Sequence, residues 1–486
     1  MRLHDGVGPP RTGDGTKRVG ATAPPSDVER AGGRKAPVRS GVLESPLVVA
    51  PGSTGGFADR LPGAEPRPAT RKWRPAPGPP YDLGMPEAVI VATARSPIGR
   101  AFKGSLKDMR PDDLATQIVN ALLAKVPQLD PAEVEDLLMG NGQPAGEAGY
   151  NIGRVVAVLA GLDNVPGVTV NRYCSSSLQT IRMAAHAIKA GEGDVFIAAG
   201  VETTSRFFAG NSDGVPNTHN ALFAEAEARS AKRAEGGAPD WEPADGLPDI
   251  YIAMGQTAEN VAEYENVSRE EMDEYAARSQ QLAVEHVENG FFEREITPVT
   301  LYDGSLVAKD DGPRPGTTVE GLAKLQPAFR PDGRVTAGNA CPLNDGAAAV
   351  LVMSETRAAA LGIEPLARVV SSGVTGLHPE IMGLGPIEAS RQALARAKLT
   401  IDDMDLVEIN EAFAAQVIPS ARHLRIPLEK LNAHGGAIAL GHPFGMTGAR
   451  IMTTLLNGLE HEGGRYGLET MCVGGGQGMA MVVERL

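Results

Sequence analysis

Cysteine is scarce in this chain: 486 residues hold only Cys174, Cys341 and Cys472, far apart and without a C-x-x-C pair. That count and spacing exclude a disulfide framework and a thiolate metal centre, and they suit a reducing compartment. Long apolar runs are missing too. None reaches eighteen residues, so no membrane span is expected, and the stretches that occur are short enough to be buried strands. Positive charge is in deficit, with 46 Lys and Arg against 60 Asp and Glu for a formal net charge of -14. Broad nucleic-acid binding is disfavoured by that balance, although a local basic rim around an anionic cofactor is not. What is present is ordinary for a soluble globular protein: 42% hydrophobic residues, in a chain long enough for several domain-sized units and a sizeable core.

Residues 1 to 84 differ in kind from the rest. They hold 14 of the 37 prolines and 13 Arg and Lys against 8 Asp and Glu, so they carry about +5 and leave about -19 to the remainder. With almost no apolar periodicity, this Pro-, Gly- and Arg-rich extension is expected to be disordered. A transit peptide would also be arginine-rich, but it would be amphipathic and poor in acids. Met85 is a candidate working start, because AVIVATAR follows almost at once in a strand pattern.

From there strands and helices alternate, which implies an α/β layer structure. Strands are expected near Ala88 to Ala94, Asp136 to Gly140, Val168 to Val170 and Val195 to Gly200, with helices near Leu114 to Lys125 and after Cys174. Residues 206 to about 334 break the rhythm with polar, glycine-rich segments around a helix at Ser268 to Asn289, whose start has the look of a capping box. The alternation resumes with strands at Ala348 to Met353, Ala367 to Ser371 and Leu406 to Ile409. Helices follow near Ile387 to Ala397 and Gly445 to Leu459, then two strands around the glycines after Cys472. Two similar halves fit this order, without a sequence repeat between them.

Four segments carry chemistry. In VTVNRYCSSSLQTIRMAAHAIKAG, Leu178, Ile181, Ala185 and Ile188 recur at helical spacing up to Gly191. Cys174 therefore sits at a helix N-terminus, where free N–H groups and the helix dipole favour a nucleophilic thiolate; the alternative is one more small buried residue. In NAHGGAIALGHPFGMTGAR, glycines hold the backbone close while Pro443 helps aim His442, which can then take a proton from a thiol or be merely structural. In MCVGGGQGM, Cys472 ends a strand before a tight glycine turn. Its successive N–H groups can donate to an oxyanion while the thiol moves a proton, or the segment is a plain hairpin turn. The lysine and Ser/Thr of a phosphate loop are absent there. In NEAF, Asn410 follows a strand and can hold a water or a carbonyl oxygen by its amide, or simply cap a helix.

Taken in order, these segments resemble the thiolase family, coenzyme A dependent enzymes that make or cleave 3-ketoacyl thioesters. The similarity runs from Met85 to Leu486 through AVIVATARSPIGR, NRYCSSSLQT, MGQTAENVAE, VTAGNACPLNDGAAA, NEAF, GGAIALGHPFGMTGAR and CVGGGQG. It implies a five-layered α-β-α-β-α fold of two similar halves with an inserted loop domain. The halves would be residues 85–205 plus about 335–363, and 364–486, with the CoA-binding insert at 206–334. It makes Cys174 the acyl-accepting nucleophile, His442 its base and Cys472 the acid/base at the α carbon of acetyl-CoA. Asn410, through a water, joins His442 in one oxyanion hole, and the N–H groups of Cys174 and Gly474 form the other. Met254, Cys341 and Phe413 are expected along the substrate and CoA pocket.

The resemblance also implies acyl-CoA and CoA as substrates, CoA as co-substrate with no bound cofactor or metal, and a homodimer or homotetramer. Two departures stand out. Cys341 replaces a serine common in thiolases and is expected to be a pocket wall, and Ala253 stands where acetoacetyl-CoA specialists often have histidine, which leans towards longer acyl groups. Arg229, Lys232 and Arg233 are candidates for the CoA phosphates by charge alone. A ketoacyl synthase would carry a second histidine where NEAF stands, and a non-catalytic thiolase-like acyl-CoA or lipid carrier would alter NEAF or lose a catalytic residue. The terminal Glu484-Arg485-Leu486 is not the peroxisomal tripeptide, so a cytoplasmic location is expected.

Overall fold

Strands with apolar residues on both faces must be covered on both faces, and AVIVATAR shows the consequence: the run is buried almost throughout. A computed structural model describes residues 86–486; the expected extension over residues 1 to 84 lies outside them. The first half runs β1 (Ala88–Arg95), α1 (Pro111–Ala124), β2 (Asp136–Gly140), α2 (Ile152–Leu159), β3 (Gly167–Val170), α3 (Ser176–Ala190) and β4 (Val195–Thr203). The chain then leaves the sheet through α4 (Ala224–Ala234), α5 (Met254–Tyr264) and α6 (Arg269–Glu288), and returns as β5 (Asn344–Ser354). Ser268 and Glu271 close the expected capping box at the start of α6. The second half comprises β6 (Ala367–Gly376), α7 (Gly385–Ala397), β7 (Leu406–Ile409), α8 (Ala414–Leu424), α9 (Thr447–Glu462), β8 (Tyr466–Val473) and β9 (Gln477–Arg485).

The strands form one sheet in the order β7-β8-β9-β6-β1-β5-β4-β2-β3. Counted outward from the β1–β6 seam, the halves match. In each, two antiparallel pairings are followed by a parallel one, β4 with β2 in the first half and β8 with β7 in the second. The parallel β2–β3 pair has its counterpart in the parallel bridge between Val407 and Leu431. The repeat that the sequence hides is therefore plain in the topology. The seam itself is short, with only Val89 opposite Arg368 and Ile90 opposite Ala367.

Strand period two sorts the side chains into layers. Ile90, Val350, Met471 and Met481 face the middle, where they pack on Leu178, Ile181 and Ile188 of α3 and Ile451, Met452 and Leu455 of α9. Val89, Leu137, Ile197 and Leu351 point the other way, onto Leu114, Ile118 and Val156 of α1 and α2. Val407, Leu468 and Val482 likewise pack on α8 and α6 through Val417, Leu424 and Met272. The result is the five-layered α-β-α-β-α order, with α3 and α9 as the shared centre. Each fully buried Leu or Ile there contributes roughly 1.5–3 kcal/mol. The insert is tied to β1 by the fully buried Arg95, whose guanidinium meets Glu295 at 2.7 Å and Asp310 at 2.8 Å.

Candidate active site

The two central helices bring their N-termini together. Ala449 N–H of α9 donates to Ser177 Oγ of α3 at 2.9 Å, and Gly448 sits so close to α3 that a Cβ would lie 2.2 Å from the Leu178 nitrogen. Just before α3, Asn171 Oδ1 accepts from Tyr173 N–H at 2.8 Å and Tyr173 takes a left-handed φ of 42°. That strained corner turns Cys174 inward on a short 3-10 turn, Tyr173–Ser175, where it is only 7% exposed.

Burial decides the state of this thiol, and it corrects the sequence expectation of a thiolate favoured by a helix terminus. Desolvation pushes Cys174 up to about 11, and donation from the backbone N–H groups of Gly474 and of Cys174 itself only partly opposes it, while Glu202 adds to the rise. The resting group is a neutral thiol, which needs a base. Alkylation of Cys174 by iodoacetamide is therefore expected to accelerate roughly tenfold per pH unit from 7 to 10, as the thiolate fraction grows towards its pKa. Mass spectrometry of the labelled peptide checks this. A rate already flat below pH 8 would contradict it.

His442, the candidate base, is held closely in place. Its backbone N–H donates to Asn344 Oδ1 at 3.0 Å, and Gly441 before it has φ 118° with no room for a Cβ, which would lie 2.6 Å from the Asn344 side chain. The ring is buried and pushed down to about 3, first by desolvation and then by the Arg450 charge, so it is neutral. Its tautomer follows from its neighbours. Thr447 Oγ1 lies 2.6 Å from Nδ1 and 2.8 Å from the Pro443 carbonyl oxygen, which can only accept. Both contacts are hydrogen bonds at once only if the hydroxyl donates to Pro443 and accepts from Nδ1–H. Nε2 then carries the lone pair, and Asn410 Nδ2 donates to it at 3.2 Å. Asn410 thus touches His442 directly, while its buried Oδ1 has no protein partner.

Glu411, quoted in NEAF but given no task there, holds this corner in place. Its carboxylate accepts from Tyr275 Oη at 2.9 Å, Ser279 Oγ at 2.6 Å, Asn432 Nδ2 at 2.9 Å and Ile438 N–H at 3.0 Å. One buried side chain so fastens the insert helix α6 and the loop leading to His442 onto the end of β7. Asn344, Thr447 and Asn432 were missed in the same way, since a positioning residue leaves no spacing pattern of its own.

Cys472 is fully buried near the end of β8, before the Gly475 and Gly476 turn with φ of 74° and 78°. Desolvation raises it well above an ordinary thiol, and Cys174 and Cys341 act on it electrostatically in the same direction. Cys341 donates its backbone N–H to Ala412 O at 3.0 Å, next to an Ala340–Phe413 bridge, so the loop of Cys341 and NEAF run side by side. Burial pushes this third thiol up as well. Phe413 is buried edge-on to Phe329, and Met254 opens α5 against the cluster that contains Phe413 and Cys472. The basic candidates fare differently. Arg229 donates to Leu247 O at 2.6 Å, and Arg233 donates to Pro239 O at 2.8 Å and pairs with Glu263, so both guanidiniums hold the insert together; Lys232 is exposed beside them.

Comparison with known proteins gives the family. Residues 88–356 match the family model described as thiolase, N-terminal domain, and residues 363–485 match thiolase, C-terminal domain. A beta-ketoadipyl-CoA thiolase of Acinetobacter baylyi is 44% identical over 414 residues, covering 83% of this chain and all of the relative. A 3-ketoacyl-CoA thiolase of Pseudoalteromonas translucida is 44% identical over 411 residues with the same coverage. The crystal structure of a Bacillus anthracis acetyl-CoA acetyltransferase superposes with a TM-score of 0.71 at 38% identity, over 83% of this chain and 99% of that one.

Proposed function

Because the chain belongs to the thiolase family and is an acyltransferase of that type, we propose that Cys174, His442, Asn410, Cys472 and the Gly474 N–H carry its reaction. In thiolysis Cys174 Sγ attacks the 3-keto carbon of a 3-ketoacyl-CoA while His442 Nε2 takes the thiol proton. The bond between C2 and C3 breaks, its electron pair passes to C2, and the enolate of acetyl-CoA takes a proton from Cys472. Free CoA then attacks the acyl group on Cys174. Its thiol proton returns to Cys472, and the departing Cys174 sulfur recovers its own from His442. Condensation of two acyl-CoA molecules is the reverse.

The observation that supports this most is the state of His442: neutral, with Nδ1–H spent on Thr447 and the lone pair on Nε2, where it accepts from Asn410 and would take the proton of a thiol that burial keeps protonated. Once protonated, Nε2–H becomes a donor beside Asn410, and the N–H groups of Cys174 and Gly474 already point at sulfur, where a second oxyanion would form. CoA acts as co-substrate with no bound cofactor. The assembled form is a homodimer or homotetramer in the cytoplasm, with residues 206–334 as the loop domain that receives CoA; these points rest on the family.

Ala253, at the start of α5, leaves room for substrates longer than acetoacetyl-CoA, in keeping with the names of the two curated relatives. Incubation with CoA and a series of 3-ketoacyl-CoA esters is expected to release acetyl-CoA, with kcat/KM higher for chains beyond four carbons than for acetoacetyl-CoA. A folded protein that acylates at Cys174 yet turns over none of them would instead be an acyl-CoA binding relative.

A further inference from the structure

Gln416 has no place in the reaction just described, yet its side chain lies between two of its participants. It is fully buried at the third position of α8, one turn after NEAF. Only one orientation of its amide satisfies its backbone neighbours. With nitrogen towards Asn410, Nε2 donates to the Asn410 backbone oxygen at 3.1 Å and the amide oxygen accepts from Val417 N–H at 2.9 Å. The opposite orientation sets oxygen against oxygen and NH2 against N–H. The amide atom on the Asn410 side is also the one 3.3 Å from Cys472 Sγ. In the satisfied orientation that atom is nitrogen, and its second hydrogen faces the sulfur.

We propose that Gln416 is a positioning residue for carbon-bound proton transfer: its Nε2–H donates to Cys472 Sγ and supports the anion that sulfur becomes on giving up its proton. The inference rests on the assignment of Cys472 as the acid/base. Beside the backbone N–H of Cys472 itself, the site offers this anion little other help. The thiols of Cys174 and Cys341 oppose it, as does burial. Glu469, three residues earlier on β8, lies on the opposite face with Arg450. A neutral amide donor anchored at both ends supplies what the surroundings withhold, since hydrogen bonds to charged groups are the strong ones.

The test is the pH dependence of exchange of the acetyl-CoA α-hydrogens into D2O, a step that needs Cys472, beside acylation of Cys174 by an acyl-CoA, which does not. Gln416→Met removes the donor at nearly constant volume. Acylation is expected to stay within about threefold of the parent, while exchange at neutral pH falls about tenfold and its rising limb moves about one unit to higher pH. Gln416→Glu, which sets a carboxylate against the sulfur, is expected to move the limb at least as far, and it decides the matter if the Met variant does not fold. An unmoved limb, with rates lowered equally at every pH, would leave Gln416 a packing residue and overturn the proposal. Cys472→Ala, run alongside, separates the two ideas: exchange surviving in that variant would sink the assignment of Cys472 itself.

Discussion

Cys174→Ala is expected to abolish covalent acylation and to lower thiolysis by about ten-thousandfold or more, the scale seen when a covalent nucleophile is removed from an otherwise intact site. The loss should be complete because no other thiol can stand in. Cys341 and Cys472 lie within electrostatic reach, but neither is the sulfur at which the N–H of Gly474 is aimed. Intact-protein mass spectrometry after incubation with an acyl-CoA gives the answer directly. An acyl adduct that persists in this variant at the parent rate would move the nucleophile elsewhere.

Cys472→Ala should separate two steps that the parent couples. Acylation of Cys174 and acyl exchange between CoA molecules are expected to continue at a sizeable fraction of the parent rate, because attack, base and both sets of oxyanion donors remain. Making or breaking the C2–C3 bond should fall by about a thousandfold, at the level of losing a general acid and base from a water-poor site. The buried setting sharpens the contrast. Cys472 is fully enclosed, so bulk water is poorly placed to replace its proton. Equal losses in both steps would show that the side chain serves packing rather than proton transfer.

Much of the scaffold could be read beforehand because its signals are local. Gly191 ends α3 in the left-handed conformation its residue type suggests, and the predicted helical stripe of Leu178, Ile181, Ala185 and Ile188 is wholly buried. The strand at Leu406 to Ile409 has the expected bounds. The helix Ala414–Leu424 escaped notice, since Pro419 interrupts its pattern, and Ile152–Leu159 is only eight residues long. Within the site, the residues proposed to do chemistry stand out in the sequence, while those that hold them do not. Glu411 and Asn344 act across gaps of tens of positions or more, and no periodicity connects Ser279 with Glu411 or Asn344 with His442. The ionisation of Cys174 is illegible for a related reason: a helix terminus can be seen in a sequence, whereas the low dielectric around it depends on everything that packs there.

The short seam between the halves has a further meaning. Cys174 belongs to the first half, whereas His442, Asn410, Cys472 and Gly474 all belong to the second, and two residue pairs of β-ladder, the packing of α3 on α9 and hydrogen bonds such as that between Asn344 and the His442 N–H register one set against the other. Each half holds a share of the instrument and neither holds a tune. Sequence change that leaves each half stable but slides α3 along α9 by a fraction of a turn would keep the protein folded and leave it mute, so the glycine at 448 guards timing between partners more than the strength of either.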